Sequence, residues 1–359
     1  MCAWKYKRLM PKITVAKLKL MEPKEITNLA GMSLPYIVSR LEKTPYKAEI
    51  SETRTKELSA NSLEDTLLQN FINTCEELME LSPKRIRSLL STYLMRFEVD
   101  CVKAILRAKK AELDTDEAIK YIMPAGRLDE VRCIKILESS ENIADVAEAL
   151  SDMEYELVLE KAFAVYEKEK NFYLLEVALD RHVYSKSWKA VGKLGGLDKK
   201  IARTVIGLEI DSANVKTILR CKAMGISEDQ ISRYLIPVSE VFSEKELKQL
   251  IRKPDIQAFI DSLVRLARSA MSRDHQYTFA ELQKKRLTSL TTLETILDRG
   301  RVETSLRMLK RYTPFFNIGL ILAFLNLKWF EVKNLRAIIR GSEAGIPPDR
   351  VKKLLILPR

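Results

Sequence analysis

Three pairs of cations recur at a spacing of four residues: Lys103 with Arg107, Lys216 with Arg220, and Arg336 with Arg340. Residues four apart share one face of a helix, where like charges repel by roughly 0.2–0.5 kcal/mol. A pair written three times therefore implies acids that face it, either in the same domain or on a partner protein. That chemistry is charge pairing, and these six side chains are the candidate site. Little else in the sequence could react. The only histidines are His182 and His275, and neither has a cysteine or second histidine at metal-ligand spacing. Both read as solvated or locally paired. The cysteines (Cys2, Cys75, Cys101, Cys133 and Cys221) are odd in number and contain no Cys-x-x-Cys, which argues against a zinc site or a disulfide framework. Gly192-Lys193-Leu194-Gly195-Gly196 is not a phosphate-binding Gly-x-x-x-x-Gly-Lys-Ser/Thr loop. No dinucleotide fingerprint, metalloprotease helix or nucleophile elbow is present. No catalytic, cofactor-binding or metal-ligating residue is assigned.

The cation pairs sit in a repeated helical phrase. Cys101-Val102-Lys103-Ala104-Ile105-Leu106-Arg107 returns as Asn214-Val215-Lys216-Thr217-Ile218-Leu219-Arg220, and again as Asn334-Leu335-Arg336-Ala337-Ile338-Ile339-Arg340. Nine positions before each closing arginine stands an acid: Glu98, Asp211 and Glu331. Nine residues turn a helix through roughly 900°, so acid and arginine face opposite ways. The acids read as caps or partners of another helix in the same domain. Phe97, Ile210 and Phe330 precede them and, with Val102 and Ile105 and their counterparts, read as core.

Two further elements keep their order in every copy. Upstream is a Leu-Glu-x-x-Leu element at Leu63–Leu67, Leu175–Leu179 and Leu293–Leu297. Downstream a short helix is expected over Asp116–Pro124, Asp229–Pro237 and Asp349–Pro358, entered through Asp114/Glu117, Ser227/Gln230 and Pro347-Pro348. Three ordered elements at matching offsets mark internal repetition. The expected division is a basic opening segment, 1–19, read as partly disordered, and three similar helical domains at 20–138, 139–253 and 254–359.

Composition agrees with an all-α chain. Glycine (11) and proline (12) are sparse among 359 residues, and apolar residues recur at helical spacing with charges between them. Helices are expected from Ser33 past Leu41, over Leu63–Leu81, Lys84–Lys110, Ile143–Lys170, Lys199–Cys221, Ser243–Ile251, Ile256–Met271, Tyr277–Leu309 and Gly319–Arg340. The most apolar stretch, Ile318–Leu327, is about half of what a membrane span needs. With no secretory signal, the cytoplasm is the default compartment. The net charge is +12, with basic residues concentrated at Lys5, Lys7, Arg8, Lys12, Lys17 and Lys19. Such a surface suits nucleic acid, an acidic protein or an anionic membrane surface.

Three function classes compete. A structural or coupling component fits three helical copies about a pseudo-threefold axis, forming a ring or funnel that holds something central. A basic helical nucleic-acid-binding or scaffold protein is the alternative, although the aromatics do not interleave with the cations as a stacking platform would. An enzyme with a site assembled from distant residues has no positive support.

Phe172-Tyr173-Leu174-Leu175-Glu176-Val177-Ala178-Leu179-Asp180 with Tyr184, the run Glu209–Lys222, and Glu331–Gly341 with Gly345-Ile346-Pro347-Pro348 carry a family likeness. From about residue 17 to its end the chain resembles the C-subunit family of archaeal A-type (V/A-type) ATP synthases, relatives of the vacuolar ATPase d-subunit. The resemblance implies a non-catalytic funnel of three similar helical domains. Its implied partners are the central stalk proteins (D/F type) and the membrane proteolipid ring. It implies a peripheral position on the cytoplasmic face of the membrane, no membrane span, no nucleic acid and no cofactor. The implied work is passing torque between stalk and ring, linking ion translocation to ATP synthesis or hydrolysis.

Overall fold

The computed structural model describes residues 6–53, 59–268, 273–284, 289–312 and 317–358. The helices are α1 (Leu9–Lys17), α2 (Pro23–Leu29), α3 (Leu34–Leu41), α4 (Lys47–Thr53), α5 (Ala60–Glu80), α6 (Lys84–Lys110), α7 (Thr115–Ala118), α8 (Glu130–Ser139), α9 (Ile143–Ala149) and α10 (Tyr155–Glu169). They continue with α11 (Tyr173–Gly192), α12 (Gly196–Ala223), α13 (Glu228–Tyr234), α14 (Glu244–Ile251), α15 (Ile256–Arg268), α16 (Arg273–Lys284), α17 (Leu290–Tyr312), α18 (Ile318–Glu343) and α19 (Pro348–Leu354). Among the described residues no strand forms, and the one isolated bridge joins Ala125 to Leu128. The fold is all-α.

The long repeated helices of the three copies are α6, α12 and α18. All three end in the same backbone turn. The residue after the last turn is left-handed: Glu112 (φ 54°), Gly225 (φ 69°) and Gly345 (φ 62°). The next N–H then closes back on the helix, from Leu113 to the Ala108 carbonyl (3.1 Å), Ile226 to Cys221 (3.0 Å) and Ile346 to Gly341 (2.8 Å). This six-to-one bond satisfies a carbonyl that the helix end leaves open. The short helices α7, α13 and α19 follow. Asp114 caps α7 by accepting the Glu117 N–H at 2.8 Å, Ser227 accepts the Gln230 N–H at 3.4 Å, and Pro348 occupies the first turn of α19.

The chain forms two compact units. One comprises residues 1–87, 191–233 and 239–359. Its central element is α18, whose residues from Ile318 to Leu325 are all buried. A helix apolar on every side belongs inside a core, which is why this stretch is the most hydrophobic in the sequence. α1, α2, α3, α5, α12, α17 and α19 all pack on α18, while α16 bridges α15 and α17. Gly341 allows the α19 contact, since a Cβ there would lie 2.5 Å from the Val351 side chain. The other unit comprises residues 88–190 and 234–238. Its core is built from α6, α8, α9, α10 and α11 around Val102, Ile105, Leu128, Val146, Leu159, Leu175 and Leu179.

Two helix readings need correction. The run Ile143–Lys170 is two helices, because residues 150–154 break between α9 and α10. Within the break Leu150 and Met153 are buried, Arg132 pairs with Asp152, and Tyr155, at the first position of α10, reaches Glu98. The expected run Tyr277–Leu309 is α16 followed by α17, and residues 285–288 between them lie outside the described residues, as do Met271 and Thr313-Pro314. The basic opening segment contains α1, held by buried Leu9, Met10 and Ile13.

Candidate functional site

Each cation pair meets acids on a Leu-Glu-x-x-Leu helix that lies against it. In the first, Arg107 makes a two-point bond to Glu176 (Nε–Oε1 2.6 Å, Nη2–Oε2 2.9 Å), and Lys103 pairs with Asp180. In the second, Arg220 grips Glu294 in the same way (2.5 and 2.7 Å) and Lys216 lies 2.7 Å from Asp298. Because the residue later in each long helix meets the residue earlier in its partner, the paired helices run antiparallel. In the third, Arg340 holds Glu64 (Nε–Oε1 2.8 Å, Nη2–Oε2 3.2 Å), and Arg336 reaches the same carboxylate at 3.2 Å. Glu176, Glu294 and Glu64 are the glutamates of the three Leu-Glu elements. The acids one turn further on are Asp180 and Asp298. In the third clasp that position is Leu68, so Glu64 serves two guanidinium groups, and Asn61 takes a further bond from Arg340 at 2.5 Å.

The clasps run in a cycle. The long helix of the first copy meets the Leu-Glu element of the second, that of the second meets the third, and that of the third returns to the first. The sequence shows both partners of every clasp but not their pairing. One signal was available: acids at Glu176/Asp180 and Glu294/Asp298 have the same four-residue spacing as the cations they face.

Electrostatics differ among the clasps. Burial works against the Lys103 ammonium, but Asp180 and Asp100 outweigh it and hold its pKa above the ordinary value. Asp180 is pushed up by burial against the pull of Lys103, with Asp100 and Glu176 adding repulsion. Taken alone, the upward shift of Asp180 would weaken the pair. Its side chain is 44% exposed, so water limits that rise, and Lys103 remains the cation between two carboxylates, Asp180 and Asp100. The second clasp is reversed: Asp298 stands among Lys216, Lys333 (3.4 Å) and Arg301 (3.7 Å). Burial raises its pKa, yet those three cations overcome burial and pull it down to about 2. Lys216 is lowered, first by burial and then by repulsion from Lys333 and Arg301, despite Asp298. Arg301 also reaches buried Glu209 at 3.2 Å.

The repeated acids fasten the opposite side of each long helix to a loop and a ring. Glu98 accepts the Arg127 N–H (3.1 Å) and the Tyr155 hydroxyl (2.7 Å). Gly126 permits this approach, because a Cβ there would fall 2.3 Å from Glu98 Oε1 and its φ is 59°. Asp211 accepts the N–H groups of Glu240 (3.2 Å) and Val241 (3.1 Å) and the Ser239 hydroxyl, with His275 Nε2 3.4 Å away. Glu331 accepts the Met21 N–H (2.6 Å) and the Tyr46 hydroxyl (2.7 Å), with Lys328 at 3.2 Å. Burial, reinforced by the neighbouring carboxylate, pushes both tyrosine hydroxyls up, so they remain donors. His275 occupies the tyrosine's place in the middle copy. The other histidine, His182, lies 2.8 Å from Glu154, which Lys186 also grips.

This arrangement clamps helices together and offers no reactive constellation. Among the described residues no group of three or more His, Cys, Asp or Glu side chains could hold a metal ion. No described helix is long and apolar enough to cross a membrane.

The sequence profile described as "ATP synthase (C/AC39) subunit" matches residues 9–354. Among similar proteins is the C-subunit of the A-type ATP synthase of Methanothermobacter thermautotrophicus, 30% identical over 298 residues, which span 82% of this chain and 74% of the relative. The corresponding protein of Methanocaldococcus jannaschii is 26% identical over 90% of this chain and 79% of its own length. That of Methanosarcina barkeri is 25% identical over 98% and 93%. The profile runs through all three copies of the repeat, clasps included, and on that ground the chain belongs to the ATP synthase (C/AC39) subunit family.

Proposed function

We propose that this chain is the coupling collar of a rotary A/V-type ATPase, standing between the central stalk (D/F-type proteins) and the membrane proteolipid ring on the cytoplasmic face. Family membership makes it a non-catalytic central-stalk component. In the proposed arrangement the copies at 20–138, 139–253 and 254–359 stand about a pseudo-threefold axis as a funnel that seats the foot of the stalk. The observation that carries this reading is the cyclic hand-off of the clasps. A linear row of three copies leaves its last long helix without a successor, whereas here Arg336 and Arg340 find Glu64 of the first. A torque-bearing collar must resist sliding of one copy against the next. Antiparallel helices pinned by bidentate arginine–carboxylate bonds supply that resistance, because the fork geometry fixes orientation as well as distance.

Co-purification with stalk and ring proteins, followed by cross-linking, tests the assignment. Reversing Lys216 and Arg220 together to glutamate is expected to weaken assembly while ATP cleavage by the isolated catalytic head stays intact. Unchanged binding to stalk and ring would remove this pair from the coupling role. Failure of the unaltered chain to bind either partner, with tight salt-sensitive binding to an oligonucleotide instead, would establish the nucleic-acid reading in its place.

A further inference from the structure

The first copy carries a sulfur pair where the third carries an amide clasp. Cys101 aligns with Asn214 and Asn334. Asn334 ties the backbone of Ile356 to α18, accepting its N–H at 2.7 Å and donating to its carbonyl at 3.1 Å. A thiol cannot make that two-point bond. Cys101 Sγ lies instead 3.3 Å from Cys133 Sγ on α8, and both residues are buried. A disulfide needs sulfurs about 2.05 Å apart, so closure asks for a small approach of two helices already in contact. We infer that Cys101 and Cys133 form an oxidisable pair whose disulfide staples α6 to α8, with a small disulfide such as glutathione disulfide as the oxidant.

The exchange balances in two steps. One protein thiolate attacks the glutathione disulfide and releases one glutathione, leaving a mixed disulfide. The second protein thiolate then attacks the protein sulfur of that mixed disulfide and displaces the second glutathione. Two protein thiols lose two electrons and two protons, and the glutathione disulfide leaves as two thiols. The cysteine count and the lack of Cys-x-x-Cys argue against a framework of several bridges, but a single bridge between positions 32 apart leaves no such spacing signature.

Rate and equilibrium separate here. The hydrogen bond to Cys133 and burial both raise the Cys101 thiol well above its ordinary pKa, so thiolate is scarce and exchange proceeds through local opening of α8. The equilibrium is set by how close the fold holds the sulfurs, independently of that path.

The test equilibrates the full chain in glutathione buffers of graded oxidised-to-reduced ratio, approached from both the oxidised and the reduced side. Quenching, alkylation in denaturant and peptide mass mapping then identify the bonded pair. The folded chain is expected to reach half-oxidation of Cys101–Cys133 at a ratio at least about tenfold lower than the same chain unfolded in guanidinium. Cys133→Ala abolishes the cross-linked peptide, and the folded-against-unfolded comparison stands even if that variant folds poorly. An equal or higher ratio in the folded chain, persistence of both thiols at every ratio, or a bridge to Cys75 or Cys221 instead would each overturn the inference.

Discussion

The carboxylate at the centre of the second clasp should matter more than the lysine paired with it. Asp298 is only 8% exposed and faces three cations: Lys216 at 2.7 Å, Lys333 at 3.4 Å and Arg301 at 3.7 Å. Its pKa falls from 3.8 to about 2, and at 1.36 kcal/mol per unit that shift corresponds to roughly 2 kcal/mol of stability. Asp298→Asn removes that attraction and also leaves three neighbouring cations without their shared counter-ion, so the expected loss is about 3–5 kcal/mol. Lys216→Met keeps the apolar stem and leaves Asp298 with two cations. Burial and its like-charged neighbours already disfavour the Lys216 ammonium, so the expected loss is only about 1 kcal/mol. In the double variant one repelling cation is gone, and Asn at 298 should cost at least about 1 kcal/mol less than it does alone. Urea unfolding followed by circular dichroism and by tryptophan fluorescence supplies the four free energies, provided the two probes coincide. The pH dependence gives a second readout. A depressed carboxyl pKa contributes in full above the unfolded value of 3.8, and its contribution disappears as pH falls towards 2. The gap between wild type and Asp298→Asn should therefore narrow across that window. Equal losses for the two single variants, or strict additivity in the double, would refute the reasoning.

Glu112 holds a left-handed turn that the other copies give to glycine, so Glu112→Gly should raise stability by about 0.5–1 kcal/mol. Gly345→Ala should lower it by about 1 kcal/mol through the backbone alone, since nothing lies within 4 Å of the added carbon. Urea midpoints compare both. Asn334→Ala removes both bonds to Ile356 and should cost about 2 kcal/mol, with faster hydrogen exchange at the Ile356 amide as its local signature. Tyr155→Phe leaves Glu98 with the Arg127 N–H and should cost about 1.5–3 kcal/mol by urea unfolding; a change within error would mean that the hydroxyl and carboxylate are not coupled.

The long helices were legible because their signal is local. α6 spans Lys84–Lys110 as read, and α5 begins three residues before the expected Leu63. The break before α10 was not legible, because Ser151-Asp152-Met153 contains no glycine or proline. The residues beside the break are engaged from elsewhere in the fold, Arg132 on Asp152 and Glu98 on Tyr155, through contacts that do not exist until the segments meet.

The sequence by itself determined most of the long helices, the threefold recurrence of cation pair, acid and Leu-Glu element, and the scarcity of reactive groups. These follow from the period of apolar residues and from residue identity, which can be read in a short window. Only the tertiary structure decided which acid answers which cation. Arg107 and Glu176 are 69 residues apart, Arg220 and Glu294 are 74 apart, and Arg340 and Glu64 are 276 apart. An ion pair depends on distance in space, and a window of sequence carries no such distance. The return of the last long helix to the first copy, which closes the cycle, is therefore a property of the folded chain.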